Sequence, residues 1–169
     1  MYSCINLCAV IMRVGIGYDT HCLGDGGPLL IGGVKIPFER HLVGHSDADV
    51  LLHAITDAIL GASALGDIGE MFPNTAPENR RRDSSEMLRF AHVQVKKRGF
   101  KIVNIDCIVL AQRPKMSAYK AQIQTRVAEI LELENNQVGV KAKTGEGVGT
   151  VGREEVIAAQ CVALLTELN

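Results

Sequence analysis

Hydrophobic and polar positions follow one another along the chain in patterns that predict regular elements joined by short connectors. Residues 13–19 and 29–36 are rich in β-branched and aliphatic side chains and flank a glycine-rich turn, so they are predicted to form a β-hairpin. A long run of Leu, Ile and Ala then predicts a helix. Ser46 or Asp47 is expected to cap its start, and it ends within residues 61–66.

The middle of the chain contains a loop, a helix and a strand. Residues 66–82 carry Gly, Pro or Asn every few positions, which is typical of an ordered or mobile loop. The sequence Asp-Ser-Ser-Glu at 83–86 resembles a capping box and starts a second helix, which Gly99 ends. Residues 100–111 give the strongest strand prediction, since they combine alternation with many Ile and Val.

The second half predicts a helix over 118–133, a strand over 138–144 and a closing amphipathic helix over 153–168. Strands that alternate with helices indicate the α/β class, here an α+β sandwich with helices on one face of a mixed sheet. The other face of that sheet needs a cover, and oligomerisation is its simplest source.

Composition narrows the classes of function. A chain of 169 residues with 47% hydrophobic and 22% charged residues is typical of one globular domain. Lys and Arg number 18 against 19 Asp and Glu, so no broad basic surface is available for a nucleic-acid backbone. Aromatic residues are only 4% with no Trp, which leaves few platforms for base stacking. Nucleic acid is therefore not an expected partner.

Cysteines and the N-terminus bear on location. The five cysteines are odd in number and lack paired Cys-x-x-Cys spacing, which favours a reducing compartment such as the bacterial cytoplasm. The sequence contains no apolar run of the roughly 18 residues that a membrane span needs, so no membrane partner is expected. Residues 1–12 lack the features of a signal or transit peptide and are interpreted as an extension before one domain over 13–169, with Met12 as an alternative start.

A first candidate site combines strand and helix residues. Asp19 and His21 are two positions apart, so on a strand they point to the same side. Asp49, His53 and Asp57 lie at i, i+4 and i+8 on the predicted helix. Together these residues predict an Asp/His/His metal site with an open fourth position, as a catalytic zinc needs, with Asp49 or Asp57 orienting His53. The alternative is that each is an ordinary solvated residue.

A second candidate site is the glycine-rich segment 141–153, which follows a predicted strand and opens a predicted helix. Its glycines let the backbone approach an anion, and Lys143, Thr144 and Arg153 can hydrogen-bond phosphate oxygens. Glu146 suits Mg²⁺ held between phosphates. The segment lacks the GxxxxGK[ST] order of a Walker A motif. The alternative is a flexible glycine-rich loop.

A third segment, 111–116, follows the strongest predicted strand, and the carboxyl end of a strand is a common ligand position in α/β proteins. Its alternative is a plain turn into a helix. The sequence shows no Ser/His/Asp triad pattern and no cysteine in a recognisable nucleophile motif.

Read together, these segments resemble one family, 2-C-methyl-D-erythritol 2,4-cyclodiphosphate synthase of non-mevalonate isoprenoid biosynthesis. Five ordered motifs carry the resemblance and cover the chain from Arg13 onward. They are RVGIGYDTH, LLIGGVKIP, GHSDADVLLHAITDAILGASALGDIGEMFPNT, NIDCIVLAQRPKM and VKAKTGEGVGTVGREE. Five motifs in order are far more specific than any one of them.

The resemblance implies a homotrimer of α/β subunits with active sites at the subunit interfaces, and residues for metals, catalysis and substrate. The implied metal ligands are Asp19, His21 and His53 for Zn²⁺, and Glu146 for Mg²⁺ or Mn²⁺ on the substrate diphosphate. His45 and Thr144 match positions that stabilise the transition state. The implied substrate contacts are Asp19, Thr20, His21, His45, Ser46, Asp57, Asp67, Ile68, Gly69, Phe72, Pro73, Asn74, Thr75, Ala76, Ala111, Gln112, Arg113, Pro114, Lys115, Met116, Ser117, Lys143, Thr144, Gly145, Glu146, Thr150 and Arg153.

The implied reaction converts 4-diphosphocytidyl-2-C-methyl-D-erythritol 2-phosphate to 2-C-methyl-D-erythritol 2,4-cyclodiphosphate and CMP. Residues 111–117 of a neighbouring subunit would bind the cytidine. The chain departs from the family at Asn74 and Ala76, where many relatives have Asp, at Thr150, a common Phe, and at 152–156, where GRGEG becomes GREEV. Two alternatives remain open, a zinc hydrolase and a trimeric nucleotide-binding module without catalysis.

Overall fold

A mixed sheet of five strands forms the centre of the structure, a computed structural model that describes residues 11–168. Along the chain the strands are β1 (Met12–Asp25), β2 (Leu29–Ile31), β3 (Val34–Ile36), β4 (Arg40–Val43), β5 (Phe100–Leu110), β6 (Val138–Lys143) and β7 (Val156–Glu167). All of them except β2 and β3 belong to the five-stranded sheet. The helices are α1 (Val50–Ser63), α2 (Ile68–Met71), α3 (Ser84–Lys97), α4 (Lys120–Leu131) and α5 (Gly149–Gly152). The sheet order is β4-β1-β7-β5-β6, antiparallel except where β6 runs parallel to β5. The predicted mixed α/β class is confirmed.

Strand β1 shows how the sequence separates the two faces of the sheet. Gly15 and Gly17 point toward α1, and a Cβ on Gly17 would lie 1.9 Å from the carbonyl oxygen of Ala54. Only glycine permits this approach of helix to strand. The alternate residues Val14 and Ile16 point away and are 68% and 62% exposed. One face of β1 is therefore covered by a helix, and the other is apolar and open.

Helix α1 is the centre of the hydrophobic core, and 12 of its 14 residues are buried. It packs on β1 and β7, while α3 and α4 complete the helical layer against β5 and β6. Leu51, Ile55 and Ile59 are fully buried in this layer. Such all-round burial explains why the helix is apolar on nearly every side rather than amphipathic.

The predicted closing helix over 153–168 is wrong, because this segment forms β7 between β1 and β5 at the centre of the sheet. Residues 157–159 are all buried, and the segment then alternates buried and partly exposed positions to 165. Its Ala and Leu residues favour a helix locally, but two partner strands satisfy its backbone along almost its whole length.

The predicted hairpin between 13–19 and 29–36 is also wrong. Strand β1 continues to Asp25 and pairs with β7 and β4, while β2 and β3 form a separate two-stranded sheet. Gly32 and Gly33 join β2 to β3 with φ of +61° and +73°, which matches a two-residue hairpin turn. The chain therefore places a complete hairpin within 29–36.

The other predicted elements are present, with shifted ends. Strands β5 and β6 and helices α3 and α4 lie where the pattern placed them, and Asp83 caps α3 as expected. Helix α1 is capped by Asp49 instead of Ser46 or Asp47. The predicted loop over 66–82 contains α2 and a 3-10 turn at Pro77–Asn79. The predicted extension falls mostly on residues 1–10, outside the described residues, whereas Met12 pairs with Thr166.

Helices in the described residues 11–168 are all too short or too polar to cross a membrane.

Candidate active site

Three potential metal-ligating atoms meet beside the sheet. Asp19 and His21 continue the face of β1 that meets α1, and His53 faces them from the first turn of that helix. Oδ2 of Asp19 lies 2.9 Å from Nε2 of His21 and 2.9 Å from Nδ1 of His53. The two nitrogens are 3.2 Å apart. The structure therefore brings the predicted Asp/His/His set together.

The donor set and its spacing fit a divalent metal ion. A carboxylate oxygen and two imidazole nitrogens are ordinary ligands of zinc. Tetrahedral zinc with bonds of about 2.0–2.1 Å holds its ligand atoms roughly 3.3–3.4 Å apart, which is close to the separations between these three atoms. The cluster also lines an open pocket, which leaves room for a fourth ligand.

Charges within the cluster stabilise one another. Burial alone would raise the pKa of Asp19, but its contacts with the imidazoles of His21 and His53 hold it well below its usual range. Burial alone would lower the pKa of His21, but the hydrogen bond to Asp19 and its negative charge raise it instead. The carboxylate is therefore ionised at neutral pH and available to a cation.

His21 is oriented by the sheet, because its Nδ1 lies 3.0 Å from the carbonyl oxygen of Val43 in β4. This contact directs Nε2 toward the cluster. The prediction that Asp49 or Asp57 orients His53 is wrong. Asp49 is fully buried and accepts hydrogen bonds from backbone N–H groups at the start of α1 and at the β2–β3 turn. Asp57 accepts the N–H of Ile68 at 2.8 Å and so fixes the start of α2.

His53 is oriented instead by two serines. Its Nε2 lies 2.9 Å from Oγ of Ser84 and 3.1 Å from Oγ of Ser46. Ser46 lies in the motif that the sequence singles out, but Ser84 does not. Ser84 is 31 positions from His53 and is the first residue of α3, so the sequence contains only its helix-start pattern and no signal of this contact.

The cluster opens into a cavity of about 180 Å³. The residues around it are Asp19, His21, His45, Ser46, His53, Ile68, Gly69, Phe72, Asn74, Asn79 and Met87. Nine of these eleven belong to the predicted site, whereas Asn79 and Met87 were missed. Asn79 is buried and donates from Nδ2 to the carbonyl oxygen of Pro73 at 2.9 Å, so it supports the loop that forms one wall.

That loop is anchored by Phe72, which is only 5% exposed. Its ring meets Phe90 of α3 edge-on at 5.7 Å between centroids, and the guanidinium of Arg82 lies 4.8 Å from its centre. Several predicted contacts lie near the cavity but do not line it. These residues are Thr20, Asp57, Asp67, Pro73, Thr75 and Ala76. Asp67 accepts the N–H of Glu70 at 2.8 Å and caps α2.

A second, smaller cavity of about 130 Å³ lies at the carboxyl ends of β5 and β6. It is lined by Ala111, Lys115, Met116, Ser117, Ala142, Lys143 and Thr144. The parallel pairing of the two strands aligns Leu110 with Lys143, and Ala111 donates its N–H to the Lys143 carbonyl at 3.0 Å. Two predicted segments 25 positions apart in the sequence thus form one pocket, which shares no lining residue with the first.

The remaining predicted residues of these two segments do not line the second cavity. The Thr144 hydroxyl donates to the Glu146 carboxylate, and Gln112 accepts the N–H of Gly147 at 3.4 Å. Arg113 forms ion pairs with Glu154 and Glu39 instead of lining the cavity. Of the others, Arg153 pairs with Glu155, Thr150 is exposed, and Gly145 lies against the backbone of Gly152. Pro114 is half-buried beside Arg113.

Fold and site together define a small α/β protein with an Asp–His–His cluster in one pocket and a lysine-bearing pocket at the sheet edge. The model of the YgbB family matches residues 12–166, and the chain belongs to that family. The 2-C-methyl-D-erythritol 2,4-cyclodiphosphate synthase of Rhodopirellula baltica is 52% identical over 154 residues, which are 91% of this chain and 93% of that protein. The resemblance inferred from the five motifs is confirmed.

Solved structures agree with this placement. The complex of IspF from Plasmodium falciparum with CDP has a TM-score of 0.82 at 35% identity, covering 94% of this chain and 97% of that one. The bifunctional IspDF of Campylobacter jejuni has a TM-score of 0.92 at 40% identity over 95% of this chain. This chain spans only 44% of the length of that bifunctional protein.

Proposed function

We propose that this protein converts 4-diphosphocytidyl-2-C-methyl-D-erythritol 2-phosphate to 2-C-methyl-D-erythritol 2,4-cyclodiphosphate with release of CMP, a step of non-mevalonate isoprenoid biosynthesis. The observation that carries the proposal is the convergence of Asp19, His21 and His53 in a pocket that also holds His45 and Ser46. The name of the relative that is 52% identical over almost its whole length supports the same reaction.

The protein's part in this reaction is to position and neutralise phosphates. One bond forms between an oxygen of the 2-phosphate and the β-phosphorus, and one breaks between that phosphorus and the oxygen that leaves with CMP. The attacking oxygen is already anionic at pH 7, so no side chain needs to act as nucleophile or base. This agrees with the lack of a nucleophile motif in the sequence.

Asp19, His21 and His53 hold Zn²⁺, and Glu146 contacts Mg²⁺ or Mn²⁺ that arrives with the substrate diphosphate. When bound, these ions supply Lewis acidity to phosphate oxygens. The support for zinc is the donor set of one carboxylate and two imidazoles at 2.9–3.2 Å. The support for the second metal is the exposed carboxylate of Glu146 next to the second cavity.

Side chains around the first cavity orient the methylerythritol and its phosphates. His45 is exposed at the cavity, where its imidazole can donate to the charge that develops on a transferring phosphoryl group. The Ser46 hydroxyl and the backbone N–H of Gly69 add neutral donors. Thr144 has the corresponding transition-state role at the second cavity. The predicted contacts that line neither cavity remain predictions.

The second cavity binds the cytidine part through residues 111–117, and Lys143 neutralises the diphosphate beside it. The bound CDP in the complex of the Plasmodium falciparum relative supports a cytidine nucleotide as the ligand of this fold. The two cavities of one chain share no lining residue. In this proposal a complete site arises when the first cavity of one copy meets the second cavity of another.

A homotrimer supplies that arrangement and covers the open face of the sheet. Val14, Ile16 and Tyr18 of β1 are all more than half exposed, and Val162 of β7 is 41% exposed on the same sheet. A contiguous apolar surface of this kind is typical of a subunit interface. Sedimentation at micromolar concentration should show a single species of three chains, and a persistent active monomer would refute the shared site.

We place the protein in the bacterial cytoplasm. Within residues 11–168 the cysteines Cys22, Cys107 and Cys161 are free, which is usual for a reducing compartment.

The test is to incubate the purified protein with the proposed substrate, Zn²⁺ and Mg²⁺, and to follow phosphorus by NMR. We expect a cyclic diphosphate and CMP in equal amounts. A linear hydrolysis product would favour a zinc hydrolase, and nucleotide binding without release of CMP would favour a binding module. Either outcome would replace the proposed reaction.

A further inference from the structure

A chain of hydrogen bonds, buried at Ser84 and partly buried at Asp47, starts on the side of the His53 ring opposite the metal cluster. Nε2 of His53 lies 2.9 Å from Oγ of Ser84, and the Ser84 hydroxyl in turn donates to Oδ1 of Asp47. Ser84 is fully buried and His53 is 8% exposed, so water competes little for these contacts. The proposed function gives no role to Ser84 or Asp47.

The carboxylate at the end fixes the direction of the whole chain. Oδ2 of Asp47 accepts the N–H of Ser84 at 3.0 Å, and Oδ1 accepts the N–H of Asp49 at 3.3 Å as well as the Ser84 hydroxyl. An ionised carboxylate can only accept hydrogen bonds, so the Ser84 hydrogen points toward Asp47. The Ser84 oxygen then faces His53 with a lone pair.

Nε2 of His53 must therefore carry a hydrogen in order to donate to that lone pair. A neutral imidazole carries one N–H, so a hydrogen on Nε2 leaves Nδ1 without one. Nδ1 is the nitrogen that lies 2.9 Å from Asp19 and 3.2 Å from His21, and Asp19 can accept a hydrogen from Nε2 of His21, also at 2.9 Å, instead of one from His53. Ser46 is compatible with this tautomer, because its oxygen at 3.1 Å can accept the same hydrogen.

We propose that Asp47 and Ser84 are positioning residues that lock His53 in the tautomer with a hydrogen on Nε2, so that Nδ1 is free to bind the metal. Histidine ligands usually donate their other nitrogen to a carboxylate or carbonyl. Here the Ser84 hydroxyl connects His53 to the Asp47 carboxylate. Because the carboxylate can only accept a hydrogen bond, it determines which nitrogen of His53 carries the hydrogen. Asp47 lies in the loop before α1, and Ser84 lies at the start of α3. This inference rests on the proposed metal site but not on the proposed reaction.

The first measurement is the tautomer of His53 in the metal-free protein at pH 8, read from long-range ¹H–¹⁵N correlations of ¹⁵N-histidine-labelled protein. An unprotonated imidazole nitrogen resonates far downfield of a protonated one. In the wild type we expect the downfield signal at Nδ1. In Ser84→Ala we expect a mixture of tautomers, because Nε2 loses its best acceptor.

The second measurement is the affinity for Zn²⁺ alone, by competition with a chelator. Loss of such an outer hydrogen bond typically weakens metal binding by about 10- to 100-fold, and we expect Ser84→Ala to fall in this range. The matched control is Ser85→Ala. Ser85 is the adjacent buried serine, but its backbone N–H donates to the Asp83 carboxylate and its hydroxyl lies near Gly33 rather than His53. It should leave both the tautomer and the zinc affinity unchanged.

Asp47→Asn tests the direction of the chain without removing the hydroxyl. Its amide oxygen should stay on the Ser84 N–H at 3.0 Å, because this backbone contact is shorter than the one from the Asp49 N–H at 3.3 Å. Its NH₂ group should then face the Ser84 hydroxyl, which can rotate. The hydroxyl would turn and donate to Nε2 of His53, moving the imidazole hydrogen to Nδ1. We therefore expect a reversed tautomer and weaker zinc binding.

The outcomes separate this inference from a purely structural effect. A wild-type His53 with its hydrogen on Nδ1 would overturn it. The inference would also be overturned if Ser84→Ala and Asp47→Asn both lost zinc affinity with no change of the His53 tautomer, or if the tautomer changed while the zinc affinity did not. Because neither readout involves turnover, absence of the cyclic product would refute the proposed function and leave this inference standing.

Discussion

Gly17 of β1 lies against the backbone of Ala54 in α1, so closely that a Cβ on the glycine would stand 1.9 Å from the Ala54 carbonyl oxygen. The contact sets the distance between sheet and helix two positions from Asp19 on the strand and one position from His53 on the helix. The metal cluster can therefore form only because glycine occupies this position.

Gly17→Ala should accordingly be strongly destabilising. The methyl group meets backbone rather than a flexible side chain, so relief requires the helix to move, and overpacking of this kind costs about 1–3 kcal/mol or more. Urea unfolding at fixed protein concentration measures the change. The control is Gly61→Ala in the same helix, where nothing lies within 4 Å of the added carbon. It should stabilise by up to about 1 kcal/mol through helix propensity. Equal effects of the two variants would contradict the close approach.

His53→Ala should abolish zinc binding and leave CMP binding nearly intact. It removes one of three ligand atoms from the first cavity, whereas the second cavity contains no residue of this cluster. A Lewis acid contributes several kcal/mol to such a reaction, so turnover should fall by at least about a hundredfold. Bound zinc is measured by native mass spectrometry and CMP affinity by calorimetry. His41→Ala, an exposed histidine outside the cluster, is the control. An active His53→Ala protein would refute the zinc assignment.

Glu146→Gln should keep zinc but require more Mg²⁺. The carboxylate is exposed beside the second cavity and contacts no atom of the cluster in the first, so only the second metal should respond. We expect the Mg²⁺ concentration at half-maximal rate to rise a few-fold, measured by CMP release at several metal concentrations. Behaviour identical to wild type would remove the second metal from the account and leave zinc in place.

His92 should make the fold sensitive to mild acid. Burial and the positive charge of Lys96 lower its pKa to about 4 from a usual 6.5, although Glu132 opposes this. Because the folded-state pKa is depressed, the stability that neutral His92 supports is present above pH 6.5 and is lost as the pH falls toward 4. Urea unfolding in chelator should show wild type losing on the order of 1 kcal/mol more than His92→Gln between pH 7.5 and 5. Parallel losses in the two proteins would exclude His92 as the cause.

How much of this protein the sequence reveals depends on how local the cause is. The pair Asp19 and His21 is visible because strand geometry alone puts both on one side. Strand β5 is visible because alternation and β-branching agree. In β7 the local pattern is misleading, because its Ala and Leu residues favour a helix. The strands that pair with it, β1 and β5, are more than 45 positions away in the sequence.

The site follows the same rule. The five motifs identify nine of the eleven residues of the first cavity, but a motif does not state which hydroxyl meets which imidazole. Asp49 and Asp57 lie one helical turn on either side of His53 and invite the interpretation that they orient it. Their carboxylates instead satisfy backbone N–H groups that the local chain leaves unpaired. Ser84 has no sequence signal beyond its place at a helix start.

The central position of β7 has a consequence for how the chain is made. The ribosome synthesises β1 and β5 well before β7, the strand that lies between them in the sheet. Met12 can therefore pair with Thr166 only after Thr166 has been synthesised. Until then two largely apolar strands have open edges inside the cell, at risk of pairing with other chains. The sheet can thus be completed only when β7 has been synthesised. A nascent chain that stalls before residue 156 is an aggregation hazard, and one that completes β7 closes the sheet in a single late step.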